Sequence, residues 1–178
     1  MKTYQDFLND LGKRESGNRY DIENSFGFLG RWQFGKARLW DLGLSIDGYK
    51  PKNGIAKKII SKKYFLDNPK LQDAVMDLHV RDISRIVNNK YKDYLGTSVL
   101  GVDITLSGCV AGVHLKGWGG LKKFLFNKED NSDALGTEIS EYISKFGGYD
   151  LSYTIDEKTL IKEIDSLAKP RGLEQIKS

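Results

Sequence analysis

Residues 11–35 run LGKRESGNRYDIENSFGFLGRWQFG. An acid, Glu15, closes a helical pattern and is followed at once by Ser16-Gly17-Asn18. A polar turn comes next at Asn24-Ser25, then two glycines three apart, Gly27 and Gly30, then Gln33 between Trp32 and Phe34. Glycine lets a backbone bend sharply or lie close against a ligand, and Gln33 offers both a donor and an acceptor. Tyr20, Phe26, Phe28 and Trp32 are dense for a loop, and a flat apolar ring suits the face of a sugar. One carboxyl group, a glycine-rich turn, aromatics and an amide together look like a glycan-cleaving site. The segment 18–34 is too rich in glycine and aromatics for a stable helix, and a short irregular hairpin is expected there.

Helical patterns lie on both sides. Residues 3–13 read as a first helix, with Thr3 able to cap it, Asp6 in its first turn, and Tyr4, Phe7, Leu8 and Leu11 at helical spacing. Glu15 then falls at or just past the C-terminal end, where the negative end of the helix dipole disfavours a second negative charge. That is the direction a general acid needs. Taken without its neighbours, Glu15 reads as an ordinary surface acid. Phe34 to Leu42 returns to helix, with Trp40 as a core residue and Gly43 as the stop. SIDGYKPKNG is a turn region, and Ile55 to Lys63 reads as another short helix.

Asn68-Pro69 opens the clearest long helix, Asn as cap and Pro at the first position. Leu71, Val75, Leu78, Ile83, Ile86 and Val87 mark its apolar stripe through about Tyr91, and His79 within it reads as structural. A further helix is expected from near Asp103, DITLSGCVAGVHLKGWGG. Its small residues Ser107, Gly108, Ala111 and Gly112 predict close packing, and Cys109 reads as a small core residue. Leu121 to Phe126 is short and apolar. Thr137 is placed as the cap of a helix carrying Ile139, Tyr142, Ile143 and Phe146. Residues 156–168 read as a charged amphipathic helix ended by Pro170-Arg171-Gly172.

With these residues in view, Glu15-Ser16 followed by Asn24-x-x-Gly27-x-x-Gly30-x-x-Gln33 resembles the lytic transglycosylase and goose-type lysozyme superfamily. That family carries Glu-Ser and then Ser-x-x-Gly-Ala-x-Gly-Leu-Met-Gln. Both glycines and the glutamine keep their spacing, while Asn24 replaces Ser, Phe28 replaces Ala, and Arg31-Trp32 replaces Leu-Met. Val113-His114-Leu115-Lys116-Gly117-Trp118-Gly119 is similar to the family's Ala-Tyr-Asn-Ala-Gly-x-Gly, with His114 at the Tyr position and Leu115 at the Asn position. Glu138-x-x-x-Tyr142-Ile143 resembles the late motif, whose tyrosine hydroxyl sits near the catalytic glutamate. Phe65-Leu66-x-Asn68-Pro69-x-x-Gln72 also looks like a segment found before the long helix in wall hydrolases.

The resemblance implies a mostly α, lysozyme-like fold, seven to eight helices around a substrate cleft with a small irregular β-hairpin region. It implies a catalytic domain over 1–150, with 151–178 as an added helix packed on it or extending from it. Glu15 would be the general acid and base. Asn24, Gly30, Gln33, His114, Trp118 and Tyr142 would bind substrate, although His114 reads equally as a packing residue and Tyr142 has a core-edge residue as its lesser alternative. The implied reaction is cleavage of the MurNAc–GlcNAc β-1,4 bond with closure of a 1,6-anhydromuramoyl ring. A lysozyme would need a second carboxylate, for which Asp21, Glu23 and Asp41 are the nearest candidates, each a surface or capping residue by default. A non-catalytic peptidoglycan-binding or assembly module is the third reading, supported by Leu115 in place of the family's amide.

Composition sets the outer limits. The chain has 178 residues, 39% hydrophobic and 29% charged, with a net charge of +4 and a pI near 9.0, ordinary values for one globular domain. Lys and Arg are scattered, with pairs at Lys57-Lys58, Lys62-Lys63 and Lys122-Lys123, which favours an anionic wall over nucleic acid. Two dispersed histidines and a lone Cys109 make neither a zinc set nor a disulfide framework, so no metal and no cofactor is expected. No stretch reaches the roughly 18 apolar residues of a membrane span, and MKTYQDFLND does not read as a secretory signal. The expected partner is the peptidoglycan glycan strand, reached in the periplasm or wall after release through a holin or by dedicated secretion. Such a protein would be a phage endolysin, a phage particle component or an antibacterial effector, the last bringing an immunity protein as partner.

Overall fold

The computed structural model describes residues 1–152 and 155–169, so the expected stop at Pro170-Arg171-Gly172 lies outside the described residues. Among those described the fold is mostly α, with seven α-helices and four short strands. None of the helices is long and apolar enough to cross a membrane. The helices are α1 (Tyr4–Ser16), α2 (Lys36–Asp41), α3 (Lys62–Leu66), α4 (Pro69–Lys90), α5 (Leu106–Asn127), α6 (Ile139–Lys145) and α7 (Glu157–Leu167). The strands are β1 (Leu44–Ile46), β2 (Lys58–Ile60), β3 (Ser98–Val99) and β4 (Val102–Asp103). The chain divides into two compact units: one draws on Met1–Leu11 and the stretch from Val80 onward, the other on Gly12–His79 and the stretch from Ile155 onward. Helices α1 and α4 each supply residues to both.

In the unit that begins at Val80, α5 and α6 make the centre. Thr105 caps α5 by accepting from the Gly108 N–H, so the helix starts at Leu106, three residues later than the sequence pattern suggests. Small residues are required where it meets α6: a Cβ on Gly108 would lie 2.6 Å from the Ile143 carbonyl oxygen, and one on Gly112 would press on Ile143 and Ile139 side chains. Ser107, fully buried, donates to the Phe146 carbonyl and accepts from the Tyr149 N–H, so its hydroxyl is satisfied both ways. Phe7 meets Phe146 and Tyr149 edge to face. Helix α5 does not end at Gly117 but kinks there, at φ 70° and ψ −179°, and runs on to Asn127. The separate segment expected at 121–126 is therefore its second arm. The cap of α6 is Glu138, with no side-chain hydrogen bond, rather than Thr137.

Thr3 and Asp6, in the same unit as α5 and α6, still set the entry of α1, the Asp6 N–H donating to the Thr3 hydroxyl and the Thr3 N–H to the Asp6 carboxylate. The end of α1, from Gly12 on, belongs to the other unit. The helix runs one turn further than expected, through Ser16, and Glu15 lies inside its last turn. Residues 18–34 form the irregular hairpin, held by bridges Glu23–Leu29 and Leu29–Phe34. The helix expected over Ile55–Lys63 is instead β2, pairing parallel with β1, Leu44 against Lys58 and Ile46 against Ile60. Apolar alternation in a run this short does not separate strand from helix. The Ser61 hydroxyl then caps α3. Helix α7 is tied into this unit where Tyr64 donates to the Leu167 carbonyl at 2.6 Å and Lys58 to that of Asp165. Trp40 is half-buried, its indole N–H on the Ile55 carbonyl and Lys57 over its ring at 3.9 Å. His79 is structural: its Nδ1 accepts from Arg38 Nε at 2.9 Å while Phe34 meets it edge-on.

One turn appears twice. Asn24 Oδ1 accepts from the N–H groups of Phe26 and Phe28, and Asp133 Oδ1 accepts in the same way from Leu135 and Thr137. Each is closed by a bridge just outside it, Glu23–Leu29 and Ser132–Glu138.

Burial pushes the Cys109 thiol up to about 12, leaving almost no thiolate to react. We expect a thiol reagent at mildly alkaline pH to label it only as fast as the chain unfolds, tracking the loss of helix by circular dichroism across a urea series. Labelling of the native chain at the rate of free cysteine would mean that the face between α5 and α6 is open.

Candidate active site

The stretch around Glu15 is built from the end of α1, the hairpin and the first turns of α4. At the helix end the Gly17 N–H reaches the Lys13 carbonyl and the Asn18 N–H reaches that of Gly12, six residues back, so the reversal satisfies two of the last carbonyls of the helix. Glu15 is half-buried two residues before this reversal. Beside it, the Ser16 hydroxyl donates to the Arg31 carbonyl at 2.7 Å and accepts from the Arg19 N–H at 3.0 Å. The residue after the acid therefore grips the turn that carries Gly30 and Gln33.

That turn is fixed from below by Gln72, a side chain 1% exposed. Its Nε2 donates to the carbonyls of Tyr20 and Phe65, each at 2.9 Å, and its Oε1 accepts from the Arg31 N–H at 3.0 Å. Gly30 makes room for it. With φ +78°, a Cβ there would fall 2.7 Å from Gln72 Cδ and closer still to its oxygen. Gln33 takes a left-handed φ of 55°, and its side-chain amide donates to the Gly30 carbonyl at 2.9 Å. Gly30 and Gln33 are thus brought together as parts of the turn. Asn24 spends its oxygen on the hairpin tip.

The aromatics divide. Trp32, 1% exposed, is not a sugar platform; it sits in the core beneath the Arg31 guanidinium, 4.5 Å from its ring. Tyr20 is also committed, donating to Asp73 at 2.8 Å and accepting from Arg31 at 3.0 Å. Burial first, and the Asp73 hydrogen bond second, push its hydroxyl above the usual range. Arg31 completes the network by donating to Asn18 Oδ1 at 2.9 Å. Only Phe26, 54% exposed, and Phe28, 39% exposed, offer ring surface to a ligand from this hairpin.

The three carboxylates weighed as a second acid each have a cation beside them. Asp21 is with Arg19 at 3.3 Å, Glu23 with Lys62 at 3.0 Å, and Asp41 with Arg38 at 3.8 Å. The Arg19 hydrogen bond holds Asp21 below the usual carboxylate range. These are ordinary surface pairings.

His114, Trp118 and Tyr142 belong to the unit that begins at Val80. His114 and Leu115 are half-buried just before the Gly117 kink, and Trp118 opens the second arm of α5. Trp118 stacks on Tyr91 with ring centres 5.7 Å apart and planes 14° from parallel. Tyr142 is buried on α6, its ring edge-on to Phe146 at 5.2 Å. Gln72 and Ser16 are the residues whose weight sequence reasoning missed; a lone amide inside the apolar stripe of α4 was the signal for the first. Compared with known protein families, curated proteins and solved structures, the chain finds no match.

Gly27 and Gly30 share a left-handed backbone, at φ +84° and +78°, but a Cβ on Gly27 would meet nothing closer than 3.9 Å. Alanine at Gly27 is expected to cost about 1–2 kcal/mol of backbone strain, and at Gly30 about 2–4 kcal/mol because Gln72 loses its place as well. Urea unfolding of both variants checks this, and equal losses would remove the Gln72 clamp as the reason for Gly30.

Proposed function

We propose that the chain cleaves peptidoglycan as a lytic transglycosylase, on a lysozyme-like helical fold with a substrate cleft. One observation carries this reading. The acid and the glycine-glutamine turn that resemble the family's motif are parts of one local structure, joined by the hydroxyl of Ser16 on the Arg31 carbonyl. An exposed acid of no consequence needs no such brace.

Glu15 donates its proton to the glycosidic oxygen as the bond to the anomeric carbon breaks. As a carboxylate it then takes the proton from the muramoyl 6-hydroxyl, whose oxygen attacks that carbon and closes the 1,6-anhydro ring. No water is consumed. The substrate's own N-acetyl group supports the oxocarbenium-like centre, as in substrate-assisted glycosidases, so no second carboxylate is required. The pairing of Asp21, Glu23 and Asp41 with cations favours this route over hydrolysis. Phe26 and Phe28 are ring surfaces for sugar, and Gln33 shapes the turn beneath them. For Asn24, His114 and Tyr142 the support as substrate contacts is the resemblance alone, and Trp118, expected beside them, stacks on Tyr91. A role as endolysin or secreted antibacterial effector follows from the substrate.

The test is mass spectrometry of soluble products from purified peptidoglycan, wild type beside Glu15→Gln. Anhydromuropeptides are expected from the wild type, with release reduced about a hundred- to ten-thousand-fold in the variant, the usual worth of a general acid. Products one water heavier would establish a hydrolase and return attention to Glu23 and its neighbours. Binding without products from either would establish the non-catalytic module that Leu115 suggests.

A further inference from the structure

After the Gly117 kink the second arm of α5 places Trp118, Lys122 and Phe126 at intervals of four, on one helical face. The same arm buries Leu121, Phe124 and Leu125. Trp118 stacks on Tyr91, Tyr91 stacks on Phe126 at 5.8 Å, and Phe126 meets Tyr94 at 5.6 Å. The four rings make one continuous strip, and Phe126, at its end, is 52% exposed.

Lysines edge this strip. Lys122 stands between Trp118 and Phe126 on their own face with Lys123 next to it, and Lys92 lies between Tyr91 and Tyr94 in a short 3₁₀ turn. Lys90, Lys116 and Lys128 are exposed at the ends of the same segments. Asp93 is the one acid within residues 90–94 and 116–128; Glu129 and Asp130 follow, the latter bonded to Ser140. Among the described residues none of these lysines forms an ion pair, whereas Lys2, Lys58, Lys62 and Lys63 all do.

Gly119 adds an independent sign. It is exposed and helical, its φ lies outside the left-handed region, and nothing lies within 4 Å of where its Cβ would be. A glycine in such a place costs about 1 kcal/mol relative to alanine and the packing does not ask for it. What it provides is bare backbone beside Trp118, open to close approach.

We propose that this ridge is a second, non-catalytic binding surface for an anionic glycan strand, holding the chain on its polymeric substrate. The choice of wall glycan as occupant rests on the function proposed above. The chemistry itself supports it. Bases of a single-stranded nucleic acid stack on ring faces left open, but here both faces of Tyr91 are taken by other rings. The strip offers the outer surface of Phe126 and a row of ammonium groups, which suits a sugar's C–H face and the carboxylates beside it.

The probe is purified peptidoglycan sacculi, and the parent is the full chain carrying Glu15→Gln, which leaves the polymer intact. Co-sedimentation of the parent is compared with the same chain carrying Lys122→Glu and Lys123→Glu, exposed positions whose thermal midpoint should match the parent, or Phe126→Ala, which loses its ring contacts with Tyr91 and Tyr94 and is compared well below its own midpoint. The expected result is salt-sensitive binding that weakens at least about tenfold with the lysine changes. Phe126→Ala should weaken it less, with little change in salt dependence. In the Glu15 background, release of product from short soluble glycan fragments should stay within about twofold, because the ridge contributes no interaction specific to the transition state. Equal sedimentation of parent and variants overturns the proposal, as does absence of binding by the parent. Tighter ridge-dependent binding to a single-stranded oligonucleotide than to sacculi overturns it too. Ridge-dependent binding with no product from the Glu15 chain would sink the catalytic reading and leave the ridge standing. Product with unaltered variant binding would do the reverse.

Discussion

The buried amide of Gln72 is the constraint on which the Glu15 region depends. A side-chain amide taken out of water costs several kilocalories per mole unless its polar atoms are matched, and this one is matched by the Tyr20 and Phe65 carbonyls and the Arg31 N–H. Those three groups lie in the hairpin and in α3, so one side chain on α4 sets the position of both. Gly30 must then lack a side chain, because Gln72 occupies the space. With the Arg31 N–H held by Gln72, the Arg31 carbonyl on the next peptide accepts from Ser16, and the last turn of α1, with Glu15, is held to the same frame.

Around that frame the polar residues serve the backbone before they can serve a ligand. Asn24 closes the hairpin tip, Gln33 braces the carbonyl of Gly30, and Asn18 holds Arg31. The repeated use of one turn shows the economy of the device: Asp133 does for 133–137 what Asn24 does for 24–28. An Asx side chain at the start of such a turn satisfies two N–H groups that would otherwise face inward unpaired. Residues that look like substrate contacts in a motif can therefore be there for the loop, and the two roles separate only when their partners are seen.

How much was legible follows from how local each signal is. The N-terminal caps of α1 and α4 were readable because Thr3 and Asn68 act within a turn of themselves. The small-residue face of α5 was readable because only a close neighbour explains Ser107, Gly108, Ala111 and Gly112 together. Three readings failed for lack of local information. Residues 58–60 became a strand because β1 was there to pair with them, and the run alone fits either element. The Gly117 kink let α5 continue, where glycine in sequence reads as an end. Trp32, placed among the aromatics of a loop, went into the core because the hairpin folds back over it, which is a matter of where α4 lies.

By itself, the sequence determined the helical class, the positions of most helices, the irregular hairpin at 18–34, and the pairing of an acid with a glycine-glutamine turn. These rest on spacing, capping and turn chemistry, which operate over a few residues. Tertiary structure decided which of the marked residues were already spent. It sent Trp32 inward, tied Tyr20 to Asp73 and Arg31, left Phe26 and Phe28 outside, and put cations beside Asp21, Glu23 and Asp41. It also gathered lysines and rings from residues 90–94 and 116–128, which had looked scattered, onto one ridge. Burial, ion pairing and ring stacking join residues tens of positions apart, and no local pattern encodes which of them will meet.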